Sequence, residues 1–389
     1  MDSSQHRFTV VFGTRPEAIK LAPVSRALSD RADVRLVMSG QHCDMVTDLL
    51  ADIDLHPDIN LGAMRDRQTL NGLASRLLAS LGDEFVQHRP DAVIVQGDTT
   101  TATCAALAAF HEGIPVAHVE AGLRSCDQYD PFPEEANRRL ISQLATWHFA
   151  PTAQAAANLI AEGHRETAID VTGNTVIDNL LWARDRGLGR SAFRASAQRR
   201  VLVTLHRRET QGTEMSLVAD AIRNAAAENC LDVVLPLHRN PKVRDSILPA
   251  LVGDARIRLI EPLGYLDFIA TLADASMVVT DSGGVLEEAP SLDVPVLIVR
   301  KTTERPEAIE AGCALLVGTD ADNVQAAIGR LLRDNTAHEA MRNAPSPFGD
   351  GTAATRIAAR LMHDVPRGQS CALAGRKDIT DARQDRNAA

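Results

Sequence analysis

The sequence predicts an α/β protein with two doubly wound, Rossmann-like domains facing a cleft. Three observations predict it. Short apolar runs alternate with amphipathic stretches along the chain, as in a parallel sheet covered by helices on both faces. The alternation breaks and then starts again. The length, 389 residues, is too great for one ordinary core and suits two domains of roughly 150–200 residues each.

In the first series, Phe8–Phe12, Val34–Met38, Ala92–Val95, Val116–Val119 and Trp147–Phe149 read as buried strands. Helical patterns at Arg15–Ser29, Leu70–His88 and Thr99–His111 lie between them. In the second series the strands are Val201–Leu205, Val233–Leu237, Ile257–Ile260, Met277–Thr280, Val296–Val299 and Ala314–Val317. The interval Trp182–Arg200, rich in Arg, Ser, Ala and Gly, reads as the region of the junction. The expected division is 1–170, joined by a C-terminal helix at about 353–366, and 171–352. Beyond it, 367–389 is polar and charged. Such a tail buries too little apolar surface to offset its ordering entropy, so disorder is expected there.

Composition narrows the function. The formal net charge of -10 disfavours nonspecific nucleic-acid or anionic-membrane binding, so an anionic substrate needs a local basic pocket. Six cysteines are scattered with no Cys-x-x-Cys pair, as in a cytoplasmic protein with reduced thiols. The start lacks a signal-peptide layout, and no apolar run reaches the ~18 residues of a membrane span. No nicotinamide fingerprint or metal-ligand cluster is evident, so neither cofactor nor metal is expected.

Five segments carry chemistry. Gly13-Thr14-Arg15-Pro16-Glu17 follows the first strand and opens a helix, placing Arg15 and Lys20 near an anion-favouring N-terminus. The bland alternative is a capped helix with solvated basic residues. Gly97–Thr101 puts Asp98 between a strand and a helix, where an N-cap is the common use of Asp. The same place aims a carboxylate at the ligand end of a parallel sheet. His118–Arg124 ends the next strand with Glu120, a poor strand or turn residue, while His118 reads as a core histidine. Asp130-Pro131-Phe132-Pro133 is a rigid loop that fixes where Glu134 and Glu135 begin a helix. Asp281-Ser282-Gly283-Gly284 is a strand, glycine turn and helix start whose backbone N–H groups can hold a pyrophosphate. His206 with Arg207, and His238, end two further strands and suit phosphate contact.

In this order the segments resemble the non-hydrolysing UDP-N-acetylglucosamine 2-epimerases, from about Phe8 to Leu361. Thr172–Thr175, Thr302–Glu307 and Phe348–Gly351 extend the likeness. The resemblance implies a two-domain glycosyltransferase-B-like fold, a homodimer, a UDP-sugar substrate and no metal or nicotinamide cofactor. It implies that UDP leaves C1 as a base takes the C2 proton, giving 2-acetamidoglucal, and that UDP then re-adds as a proton reaches the other face. Asp98, Glu120, Glu134 and His206 match the catalytic positions. Arg15, Lys20, Ser282, Gly283, Gly284, Glu288 and Arg305 match positions that bind UDP, and Phe268 a uracil-side contact. A second, activating UDP-sugar site is implied at Gln41, Arg67, Glu135, Arg207 and His238. Leu286, Lys301 and Cys43-Asp44 depart from the usual pattern and leave a related UDP-2-acetamido sugar open. The rival readings are a hydrolysing epimerase, a glycosyltransferase and a silent UDP-sugar sensor. A glycosyltransferase gives no reason for three carboxylates at strand ends, and a sensor needs no acid–base groups.

Overall fold

Among the described residues every pairing between the strands of the two sheets is parallel, and their apolar runs are too continuous to leave one sheet face in water. The computed structural model describes residues 5–40, 49–65, 67–125, 127–195, 197–303 and 305–366. The expected tail at 367–389 lies outside them. The chain divides into two compact units. The first holds the N-terminal strands, Leu55–Val171 and residues 355–366. The second holds Thr172–Ala354 and a short stretch ending at Asp54.

In the first unit the strands are β1 (Arg7–Phe12), β2 (Asp33–Met38), β3 (Ile59–Asn60), β4 (Ala92–Gln96), β5 (Val116–Val119), β6 (Trp147–Ala150) and β7 (Ile169–Val171). Their order in the sheet is β3-β2-β1-β4-β5-β6-β7. Val10, Val11, Phe12 and Val93, Ile94, Val95 have no exposed surface, which is why they carry no polar alternation. The helix Leu70–His88 buries Leu73, Leu77, Leu81 and Phe85, an i, i+4 stripe. It packs on the alanine-rich helix Thr100–His111, whose small side chains let the two approach closely.

In the second unit the strands are β8 (Arg200–Thr204), β9 (Asp232–Pro236), β10 (Ile257–Ile260), β11 (Met277–Thr280), β12 (Val296–Ile298) and β13 (Ala314–Leu316), ordered β10-β9-β8-β11-β12-β13. Each sheet therefore has one topological switch point, β1|β4 in the first and β8|β11 in the second. Neighbouring connections leave such a point in opposite directions and open a crevice at the carboxyl ends of the strands.

Two details differ from the sequence reading. The edge strands β3 and β7 are too short to show a periodicity and were not expected. Trp182–Arg200 lies inside the second unit. Its polar composition reflects a strap fastened to the helix Tyr265–Ala273: Arg190 N–H donates to Asp267 Oδ1 (2.7 Å), Ser191 Oγ to Asp274 Oδ2 (2.7 Å) and Ala192 N–H to Thr271 Oγ1 (3.0 Å). Among the described residues no helix is long and apolar enough to cross a membrane.

The first switch point is closed tightly. Ser39 Oγ and Thr101 Oγ1, 2.9 Å apart, hydrogen-bond beneath Gly13. A Cβ on Gly13 would lie 2.2 Å from the one and 2.5 Å from the other. Gly13→Ala should therefore cost about 1–3 kcal/mol, the usual price of overpacking. Chemical denaturation measures it, and an unchanged midpoint would show that the turn yields freely.

Candidate active site

The turn after β1 is built by its own helix start. Thr14 is the N-cap of Arg15–Ser29 in extended conformation, with Pro16 in the first turn, where a missing N–H costs nothing. Glu17 closes a capping box. Its Oε2 accepts from Gly13 N–H (3.0 Å), Thr14 N–H (2.8 Å) and Thr14 Oγ1 (2.8 Å). Its Oε1 accepts from Thr99 Oγ1 (2.6 Å), which belongs to the turn after β4. Burial pushes the Glu17 carboxyl above its ordinary range, against the pull of these hydrogen bonds. Arg15 is half-buried, and its guanidinium takes part in no hydrogen bond among the described residues.

Asp98 follows β4 but does not cap the next helix. Thr99 does, accepting from Ala102 N–H (3.0 Å). The cap is the bland alternative that the sequence leaves for Asp98, and the structure gives it to the neighbouring residue. The hydroxyl can cap and still donate to Glu17, which a carboxylate cannot. Asp98 is thereby released to Arg138, whose Nε and Nη2 approach Oδ2 at 2.8 and 2.7 Å. Asn137 Nδ2 donates to the Asp98 carbonyl (2.8 Å). Both partners come from the helix Glu134–Leu144.

Glu120 follows β5 with a φ of +63°, a conformation that non-glycine residues seldom adopt. Lys20 Nζ donates to both its oxygens (2.6 and 2.8 Å), and Gln96 Nε2 donates to Oε2. Beneath it His118 is wholly buried in β5, and Nε2 meets the Gly97 carbonyl at 2.8 Å. Burial lowers its pKa to about 4, so the ring is neutral and Nε2 carries the proton that the carbonyl accepts. Arg124, at the end of the same motif, is structural: it pairs with Glu162 (2.6 Å) and donates to Ser142 Oγ (3.0 Å). Glu134 is half-buried at the start of its helix, and its carboxylate is uncommitted among the described residues.

In the second unit Asp281 directly follows β11 and is 1% exposed. Its carboxylate accepts from His206 N–H (3.0 and 2.8 Å) and Arg207 N–H (2.9 Å), tying β11 to the turn after β8. Burial lowers the His206 pKa, partly countered by Asp281, and its ring lies 5.6 Å from that of His238. Ser282 precedes the short helix Gly283–Glu288. Gly283 and Gly284 have no strained φ, and a Cβ on either would meet only Arg207 Nη2 at 3.5 Å or Ser282 Oγ at 4.0 Å. The protein's own packing does not demand glycine there. Arg305 pairs with Glu287 (2.6 Å), which also accepts from Asn174 Nδ2 (3.2 Å). Glu288 is buried and Phe268 half-buried.

Of the five residues expected to form a second site, Gln41 lies outside the described residues. Arg67 and His238 are exposed and Arg207 half-buried. Glu135 has no exposed surface. It accepts from Ser125 N–H (3.1 Å), Arg138 (3.2 Å) and Arg139 (3.0 Å), so in this conformation it anchors the turn and is closed to a ligand. A buried carboxylate beside a surface-seeking Glu134 could not be told apart in the Glu-Glu pair. Of the unusual positions, Leu286 is buried in its helix and Lys301 pairs with Glu214 at the surface (2.6 Å). Sequence reading gave no role to Glu17, Gln96, Arg138 or Asn174. The Thr-x-x-Glu spacing of a capping box signals the first of these.

The sequence pattern of the UDP-N-acetylglucosamine 2-epimerase family matches residues 26–362. A UDP-N-acetylglucosamine 2-epimerase of Yersinia pestis is 44% identical over 366 residues, covering 91% of this chain and 97% of that relative. The Escherichia coli K12 enzyme of the same name is 41% identical over 367 residues, 91% of this chain and 98% of the relative. The crystal structure of the Neisseria meningitidis UDP-GlcNAc 2-epimerase bound to UDP-GlcNAc superposes with a TM-score of 0.83 at 38% identity, covering 92% of this chain and 99% of that one. The two-sheet architecture is glycosyltransferase-B-like.

The Lys20–Glu120 pair is the most exposed to test of these arrangements. Its side chains are 15% and 6% accessible, so removing the cation leaves a nearly buried charge. Lys20→Met should destabilise by about 3–5 kcal/mol. Adding Glu120→Gln should recover part of that in denaturation curves. No recovery in the double variant would show that the ammonium acts elsewhere.

Proposed function

The chain belongs to the UDP-N-acetylglucosamine 2-epimerase family, of the non-hydrolysing type, and we propose that it interconverts UDP-N-acetylglucosamine and UDP-N-acetylmannosamine by eliminating UDP and adding it back. A base takes the C2 proton, the C1–O bond breaks with its electron pair going to UDP, and 2-acetamidoglucal stays bound. UDP oxygen then attacks C1 while an acid returns a proton to the opposite face of C2. Two acid–base groups on opposite faces of the ring are required.

The observation that carries this reading is the state of three carboxylates at the carboxyl end of the first sheet. Asp98 is held by a guanidinium, Glu120 by an ammonium, and Glu134 is uncommitted among the described residues. Groups that must exchange protons in sequence need such different environments, since identical ones would titrate together. Arg15 would meet the diphosphate. In the second unit Ser282, Gly283, Gly284, His206 and Arg305 would hold UDP, with Glu288 at the ribose and Phe268 at the uracil.

The mechanism is tested in deuterated water. Deuterium should enter C2 of the product and, on reversal, of recovered substrate, followed by NMR; epimerisation with full retention of the C2 proton would exclude elimination. Asp98→Asn, Glu120→Gln and Glu134→Gln should each lower turnover by at least about 10²-fold while the protein stays folded. The glycine turn has its own test. Because the fold leaves room for a side chain at 283, Gly283→Val should keep its melting temperature yet bind UDP more weakly by calorimetry. Equal affinity would remove this turn from the UDP site.

A further inference from the structure

Glu17 reaches further than helix capping needs. A capping box requires only the Thr14 N–H. Here the carboxylate also takes Gly13 N–H and, across the switch point, the Thr99 hydroxyl. The side chain is 1% exposed, and the hydrogen-bond donors around it are the neutral groups of Gly13, Thr14 and Thr99. Burying a carboxylate without a cation is costly unless its lone pairs are filled, and four donors fill them. We propose that Glu17 is a positioning residue of the reaction: it fixes the Arg15 turn after β1 against the Asp98 turn after β4.

This rests on the reading of Asp98 as an acid–base group. Asp98 then has two supports. Arg138 and Asn137 hold it from one side, and the Thr99–Glu17 link holds the adjoining residue from the other. Phosphate binding by Arg15 and proton transfer by Asp98 act on one substrate, so their spacing must be kept within a fraction of an ångström.

The test combines Glu17→Gln, Thr99→Val, Thr99→Ser and the double variant Glu17→Gln/Thr99→Val. Glu17→Gln keeps shape but removes the charge and brings an NH₂ to face either the three donors at Oε2 or the Thr99 hydroxyl at Oε1. Its kcat should fall by roughly 10–10²-fold, with a smaller change in KM, because misplacement harms the transition state more than ground-state binding. Thr99→Val should lower kcat in the same direction, and Thr99→Ser, which keeps cap and donor, should restore it. The double variant should be little slower than Glu17→Gln, since the hydroxyl acts through the carboxylate. Wild-type kcat in folded Glu17→Gln, or fully additive losses, would overturn the inference. If Glu17→Gln does not fold, Thr99→Val against Thr99→Ser decides: equal kcat in the two overturns it. Asp98→Asn is assayed alongside. Normal turnover there would sink the reading of Asp98. Slow Asp98→Asn with normal Glu17→Gln would sink this inference alone.

Discussion

A parallel sheet that reverses its strand order leaves two strand ends side by side with nothing between them. That gap must be closed before any side chain there has a fixed position. In both units a buried carboxylate closes it, and both carboxylates are 1% exposed. Glu17 gathers the N–H groups of Gly13 and Thr14 and the hydroxyl of Thr99. Asp281 gathers the N–H groups of His206 and Arg207. In each case the donors include backbone groups just past a strand end, where the sheet ladder has run out and partners are otherwise lacking. Charge-assisted bonds to such groups are among the strong ones. The solution recurs with the carboxylate reversed in placement: Glu17 comes from the helix after the first strand of its pair, Asp281 from the residue directly after the second.

The reactive-looking side chains hang from these closed gaps and carry a second set of constraints. Glu120 sits in the left-handed region, which costs on the order of 1–3 kcal/mol for a residue with a side chain. Lys20 and Gln96 hold its carboxylate there, and His118 ties β5 to the Gly97 carbonyl from below. A neutral imidazole suits that task. Protonation would put a charge in a fully buried site near Arg124 and Arg138, which is why its pKa lies near 4. The helix Glu134–Leu144 does the equivalent for Asp98, with Arg138 bridging Asp98 and Glu135. The carboxyl end of the first sheet thus carries two sets of paired opposite charges, Lys20 with Glu120 and Asp98 with Arg138, Glu135 and Arg139, while the Glu134 and Arg15 side chains make no hydrogen bond or ion pair among the described residues.

Much of this was legible in the sequence. Buried parallel strands are continuous apolar runs, so their positions could be read within a residue or two. The strand-end motifs followed, because each lies directly after such a run. What could not be read was pairing across the fold. Asp98 and Thr99 both suit an N-cap, and only the position of Glu17, far away in sequence, decides between them. Glu134 and Glu135 look alike, and only Arg138, Arg139 and the Ser125 N–H bury one of them. Edge strands of two or three residues leave no period to detect. A polar, glycine-bearing strap such as Trp182–Arg200 has the composition of a linker until its partners Asp267, Thr271 and Asp274 are known.

The glycines show how structure separates two reasons that look the same in sequence. Gly13 and Gly283 both follow a strand and begin a helix. At Gly13 the protein supplies the reason: Ser39 and Thr101 already occupy the space a side chain would need. At Gly283 it supplies none, since φ is ordinary and the nearest atom to a Cβ is the end of a flexible arginine at 3.5 Å. A glycine in a helix weakens it by about 0.5–1 kcal/mol relative to alanine. Two in succession, with no packing to require them, are an uncompensated cost within the protein alone. The cost makes sense if something outside the chain comes close to that backbone. A pyrophosphate laid on the N–H groups of Gly283 and Gly284 needs the space that side chains would take.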